Sequence, residues 1–202
     1  RLPLLIKQGY QGPVFTLAST RKIAEVILLD SAKIQNEDYE RNLRKAQRSG
    51  RESEVEPPLY NEQQVLETIK RFKEVVFETP LELGQGGKAR FYPAGHILGS
   101  AFIELDSPDG RLICSGDLGN RESSIQADFA LPRGCDAVLV ETTYANRTHR
   151  SLQATLSEFQ QVVKESLESG GKVMIPSFAL ERTQAILYNL KQMQERGDIP
   201  KM

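Results

Sequence analysis

Histidine is scarce in this 202-residue chain, which has two, His96 and His149, and no tryptophan. Any imidazole chemistry therefore rests on one of those two positions. Cysteine is equally sparse: Cys114 and Cys135 have neither CxxC spacing nor the density of a secreted disulfide scaffold, which fits a reducing cytoplasm. Both thiols are expected to be buried. No apolar run approaches the ~20 residues of a membrane span, and no signal-like segment opens the chain. Charge of one sign is missing too. The 26 Lys and Arg against 27 Asp and Glu leave a net charge of −1, so a polyanionic partner must be met by local patches rather than a global field. The sequon at Asn146-Arg147-Thr148 is discounted, because such triplets arise often by chance in chains of intracellular character.

What is present has clear periodicity. "GPVFTLAST" predicts a short strand, and "RKIAEVILLDSAKI" a helix with Ile23, Ala24, Ile27 and Leu28 on one side. From Gln35 to Pro58 the chain is highly charged, with Arg41, Arg44, Lys45, Arg48 and Arg51 close together; this reads as a solvated helix or loop, or as a phosphate-facing patch. "NEQQVLETIKRFKEV" predicts a helix capped by Asn61 with Gln64 three residues on, and an apolar stripe of Val65, Leu66, Ile69 and Phe72. "ARFY", "SAFIELD" and "GRLICSGD" read as strands, the last two joined by a tight turn at Ser107-Pro108-Asp109-Gly110. "DAVLVE" predicts a strand covered on both faces and ending in Glu141. From Ser151 the pattern becomes helix, strand ("KVMIPS") and helix ("ERTQAILYNLKQM"), a parallel α/β unit with a boundary near residue 150.

Three polar residues stand at predicted strand ends: His96 in "PAGHILGSA", Asp117 in "CSGDLGN" and Glu141 in "VETTYANRTHR". An imidazole with carboxylates suits zinc or manganese, and a carboxylate is able to bridge two ions. The neighbouring glycines allow close approach of backbone to an ion or a phosphate. On spacing alone, a lone histidine and two scattered acids are more often a buried hydrogen-bonded histidine and surface carboxylates.

The ordered set "FYPAGHILGSA", "SGDLGN", "VETTYANRTHR" and "IPSFALERTQ" resembles the β-CASP branch of the metallo-β-lactamase superfamily, nucleic-acid-processing metallohydrolases. The resemblance covers nearly the whole chain. It implies that His96 and Asp117 are metal ligands, Asp117 bridging two zinc ions, and that Glu141 is the first acidic motif of the β-CASP branch beside the catalytic site. It implies RNA as substrate. Arg147 and Arg182 read first as solvated arginines and His149 as a histidine near a helix start, with contact to RNA phosphates as the second reading of each.

The implied fold is α/β: residues 1–150 as an incomplete metallo-β-lactamase αββα sandwich and 151–202 as the start of a β-CASP domain. The family's His-x-His-x-Asp-His signature is absent, and "RLPLL" resembles the segment that family members carry directly after that signature, so the chain reads as a piece of a longer zinc-dependent ribonuclease, inactive by itself. A non-catalytic RNA-binding protein of the same fold is the alternative. Ala145 stands where relatives carry glycine, and Gln184-Ala185 where many carry Gln-Glu. An incomplete sandwich exposes apolar sheet and an unpaired edge, from which a cytoplasmic homodimer is expected.

Overall fold

The computed structural model describes residues 1–119 and 134–201, which divide into two compact units at Thr79/Pro80. The fold class is α/β, as the sequence implies. The expected change of domain near residue 150 falls within the second unit.

In the first unit a short helix α1 (Leu2–Lys7) precedes strand β1 (Val14–Leu17), helix α2 (Ala18–Gln47), helix α3 (Glu62–Ile69) and strand β2 (Phe72–Val75). Helix α2 is a single helix of 30 residues. It runs into the charged segment as far as Gln47, with no proline or glycine to interrupt the chain before Gly50. Ala24, Leu28 and Ala32, four residues apart, place one face of α2 against Val65, Ile69 and Phe72. Tyr60 joins this core and keeps its hydroxyl satisfied by donating to Ser31 Oγ at 2.9 Å.

The capping box at the start of α3 forms as expected: Asn61 Oδ1 accepts from the Gln64 N–H and Gln64 Oε1 from the Asn61 N–H, both at 3.0 Å. The predicted continuation of that helix through Val75 is wrong. Phe72–Val75 is extended and pairs in parallel with β1, Val14 opposite Phe72. The apolar stripe does not distinguish the two outcomes, because Phe72 reaches the same core from either, and a parallel strand partner satisfies the backbone of 72–75 instead.

The second unit carries a sheet in the order β3 (Leu81–Gly84), β4 (Gly87–Pro93), β5 (Ala101–Ser107), β6 (Gly110–Cys114) and β7 (Ala137–Leu139). The β5–β6 hairpin closes at Ser107 opposite Gly110, where the sequence places it. Strand β4 is antiparallel to β5, β5 to β6, and β6 parallel to β7. The carboxyl ends of β4, β6 and β7 consequently share one end of the sheet. Across β4 and β5, buried Glu104 accepts from Arg90 Nη1 at 2.7 Å, and Tyr92 stacks on Phe102 with centroids 5.0 Å apart. Helices α4 (Leu152–Glu168) and α5 (Arg182–Glu195) meet through Val163 and Met193, with Ser151 capping α4.

Three further expectations fail in this unit. β7 is a strand but is not covered on both faces: Val138 and Leu139 are 58% and 68% exposed, and among the described residues β7 pairs only with β6. "KVMIPS" forms no strand, having no strand neighbour among the described residues, and Met174 is 92% exposed. Cys114 is only half-buried and Cys135 is exposed, since Cys135 precedes the short edge strand rather than lying within a covered one.

Candidate active site

His96 lies in the turn between β4 and β5, Asp117 just beyond β6 and Glu141 just beyond β7. The strand directions bring these three segments, widely separated in sequence, to one end of one sheet.

The turn carrying His96 is held from within. Ser100 Oγ accepts the N–H groups of His96 and Ile97 at 3.0 and 3.2 Å, and the Ala94 N–H donates to Ser100 O at 3.1 Å. The loop carrying Asp117 packs directly on it. The Gly119 N–H donates to Ala94 O at 2.8 Å, and a Cβ at Gly119 would stand 1.7 Å from Gly95 O. No side chain fits there, so this glycine is required by contact between the two loops.

Ser115 ties the Asp117 loop to Glu141. Its buried hydroxyl donates to Gly116 O at 2.7 Å and accepts the Glu141 N–H at 3.0 Å, while its own N–H donates to Leu139 O at 2.9 Å. The Glu141 carboxylate then turns back over both loops. Oε2 accepts the Thr143 N–H at 3.0 Å and Oε1 the Leu118 N–H at 3.2 Å. Hydrogen bonds from the Thr143 hydroxyl and N–H, then from the Leu118 N–H, hold this carboxyl below the ordinary glutamate range; the nearby charge of His96 adds to them, against partial burial. Glu141 is thus a fixed, ionised acceptor at neutral pH.

The side chains of His96 and Asp117 are exposed and make no hydrogen bond among the described residues. Their chemistry suits zinc, but zinc takes four partners, and no group of three or more His, Cys, Asp or Glu among the described residues is arranged to hold a metal. They fit as two donors of a larger set, not as a complete one.

The remaining candidates are less closely tied to this arrangement. His149 packs edge-on against Tyr144, three residues beyond Glu141, with centroids 4.8 Å apart. Arg147 is exposed, its N–H donating to Tyr144 O at 3.1 Å. Arg182 is an exposed residue in the first turn of α5, which brings it to none of the three strand-end loops through any contact among the described residues. Ser100 and Ser115 are the structural supports that sequence reading passed over. Their signal was a hydroxyl adjoining a turn glycine, which is too common to single out.

No family model matches the chain. Similar proteins do. It is 37% identical over 190 residues to Ribonuclease TTHA0252 of Thermus thermophilus, covering 94% of this chain and 39% of that protein. It is 30% identical to the Transcription termination factor FttA of Methanosarcina mazei, over all of this chain and 30% of the relative. It is 28% identical to the Cleavage and polyadenylation specificity factor subunit 3-I of Arabidopsis thaliana, over 93% of this chain and 25% of the relative. The chain thus spans two fifths or less of the length of these relatives. With three of its four ordered motifs in loops at one end of a sheet, the chain belongs to the β-CASP branch of the metallo-β-lactamase superfamily.

Proposed function

We propose that this chain supplies part of the active site of a metal-dependent hydrolase that cuts phosphodiester bonds in RNA. The observation that carries the reading is the meeting of the His96, Asp117 and Glu141 segments at one sheet end, in a chain whose relatives are named as a ribonuclease, a transcription termination factor and a cleavage and polyadenylation specificity factor subunit. Residues 1–150 belong, in this reading, to the metallo-β-lactamase domain and 151–202 to the opening of the β-CASP domain.

His96 and Asp117 contribute donors to a site for two zinc ions, or manganese, completed by ligands outside those described. Ions in such a site activate water and offset charge on the phosphorus oxygens. The chain's own part is positional: Ser100 and Gly119 hold the two donor loops together, and Glu141, ionised and locked by Thr143 and Leu118, orients what it faces. Arg147, His149 and Arg182 meet RNA phosphates. The enzyme is cytoplasmic and self-associates as a homodimer through the exposed β7 edge. No helix among the described residues is long and apolar enough to cross a membrane.

The test is metal content and RNA cleavage in a full-length protein carrying this chain. His96→Ala and Asp117→Asn are each expected to lower zinc content and to reduce cleavage by about 100-fold or more. Unchanged zinc and cleavage in both variants would sink the assignment. The 202-residue chain by itself is expected to be metal-poor and inactive.

The alternative reading is a non-catalytic RNA-binding or scaffold protein of the same fold. That reading requires a full-length protein that binds RNA in the presence of chelator and never cleaves it.

A further inference from the structure

Several ion pairs on the exposed helix surfaces of this chain follow one habit. Lys33 pairs with Glu37, Arg41 with Asp38, Lys164 with Glu168 and Lys191 with Glu195, each cation beside an acid three or four residues away. Lys22 and Arg182, also exposed, stand outside it singly; at the carboxyl end of α2 three such cations stand together. Arg44, Lys45 and Arg48 are exposed, and none makes an ion pair or hydrogen bond through its side chain among the described residues. The acids of the preceding turns are engaged elsewhere, Glu37 and Asp38 in those pairs and Glu40 with Asn36 Nδ2 at 2.9 Å.

Helix geometry puts Arg41, Arg44, Lys45 and Arg48 within about 100° of arc on one side. Arg41 and Lys45, and Arg44 and Arg48, are like-charged neighbours at a spacing that weakens a helix. Cations complement the negative end of the helix dipole, but unpaired like charges stacked over successive turns exceed what that role needs.

We infer that Arg44, Lys45 and Arg48 form a binding surface for the phosphate backbone of RNA. The inference rests on the RNA reading above and extends it to a surface outside the strand-end loops. Arg44 and Arg48 are separated by about 6 Å along the helix axis, and each guanidinium presents a planar fork suited to a phosphate. A lipid surface is disfavoured by the same segment. Leu43 and Ala46, both half-buried, are the only apolar side chains between residues 41 and 51, so no apolar face is left to enter a bilayer.

The experiment measures binding of a labelled oligouridine to the purified chain, in chelator so that no hydrolysis interferes, across about 50 to 200 mM salt. The triple variant Arg44→Gln/Lys45→Gln/Arg48→Gln, which preserves helix propensity, is expected to lose about two units from the slope of log K against log salt and on the order of tenfold in affinity. Arg44→Lys/Arg48→Lys retains charge and should retain the slope. Lys164→Gln/Lys191→Gln removes charge from paired sites and should leave it unchanged. Circular dichroism confirms that each variant is folded; if the triple variant unfolds, Arg44→Gln/Arg48→Gln replaces it, with a loss of about 1.4 units expected. A wild-type slope in the glutamine variant of a chain that binds RNA overturns the inference and leaves the RNA reading standing. A wild-type chain that binds no RNA at any salt overturns the inference here, whereas the RNA reading is judged separately by cleavage in the full-length protein. Polyglutamate competing as well as RNA at equal charge shows a surface that reads charge alone and overturns the assignment to a phosphate backbone.

Discussion

At Gly119 the Asp117 loop touches the His96 turn with no room for a methyl group, the closest atom being a backbone carbonyl that cannot swing aside. Gly119→Ala is therefore expected to destabilise by about 3 kcal/mol or more, read as a lowered denaturant midpoint, and to disturb both donor loops together. Arg90 and Glu104 make a different kind of contact. Glu104 is 4% exposed and faces Arg90 directly across the β4–β5 ladder, and this hydrogen bond is the chief reason the Arg90 guanidinium holds its proton more firmly than usual. Removing the arginine leaves a buried carboxylate without its cation, so Arg90→Ala is expected to cost about 3 kcal/mol in equilibrium unfolding. Arg90→Ala with Glu104→Leu should recover most of that loss. Nothing in the sequence marks this pair, since a glutamate in "SAFIELD" reads as an outward strand residue until the register places it opposite Arg90.

Among the elements, α3 shows how local signals are read successfully. Its capping box needs only residues 61 and 64, and both hydrogen bonds form. Asn61→Ala is expected to cost about 1 kcal/mol, while Asn61→Asp should cost little; equal stability of the alanine variant and the native chain would remove the cap's role. The end of α3 was not legible in the same way, because whether Phe72–Val75 continues the helix or pairs with β1 depends on a strand more than fifty residues earlier. "DAVLVE" and "KVMIPS" share an apolar composition yet differ in outcome. Residues 137–139 find β6 as a parallel neighbour, whereas 172–177 find none among the described residues.

For the whole molecule, exposure of Val138, Leu139 and Val140 along β7 leaves an apolar edge. The chain is expected to self-associate with rising concentration in sedimentation experiments, and Val138→Lys with Val140→Lys to shift it toward monomer. A concentration-independent monomer would discard the homodimer. The same scale governs the candidate site. His96, Asp117 and Glu141 are each visible in the sequence as polar residues at strand ends, but their common location follows from strand directions that no single segment contains.

The existence of α2 to α5, the capping box, the β5–β6 turn and the motifs of the family were determined by the sequence alone, because each depends on residues a few positions apart or on an ordered pattern. Tertiary structure decided which apolar runs became covered strands, which glycine had no space for a side chain, and how Glu141 came to be held by Leu118 and Thr143. Those outcomes depend on partners distant in the chain. A backbone donor or a buried carboxylate is satisfied only by whatever the fold brings within hydrogen-bond reach, and composition does not encode that distance.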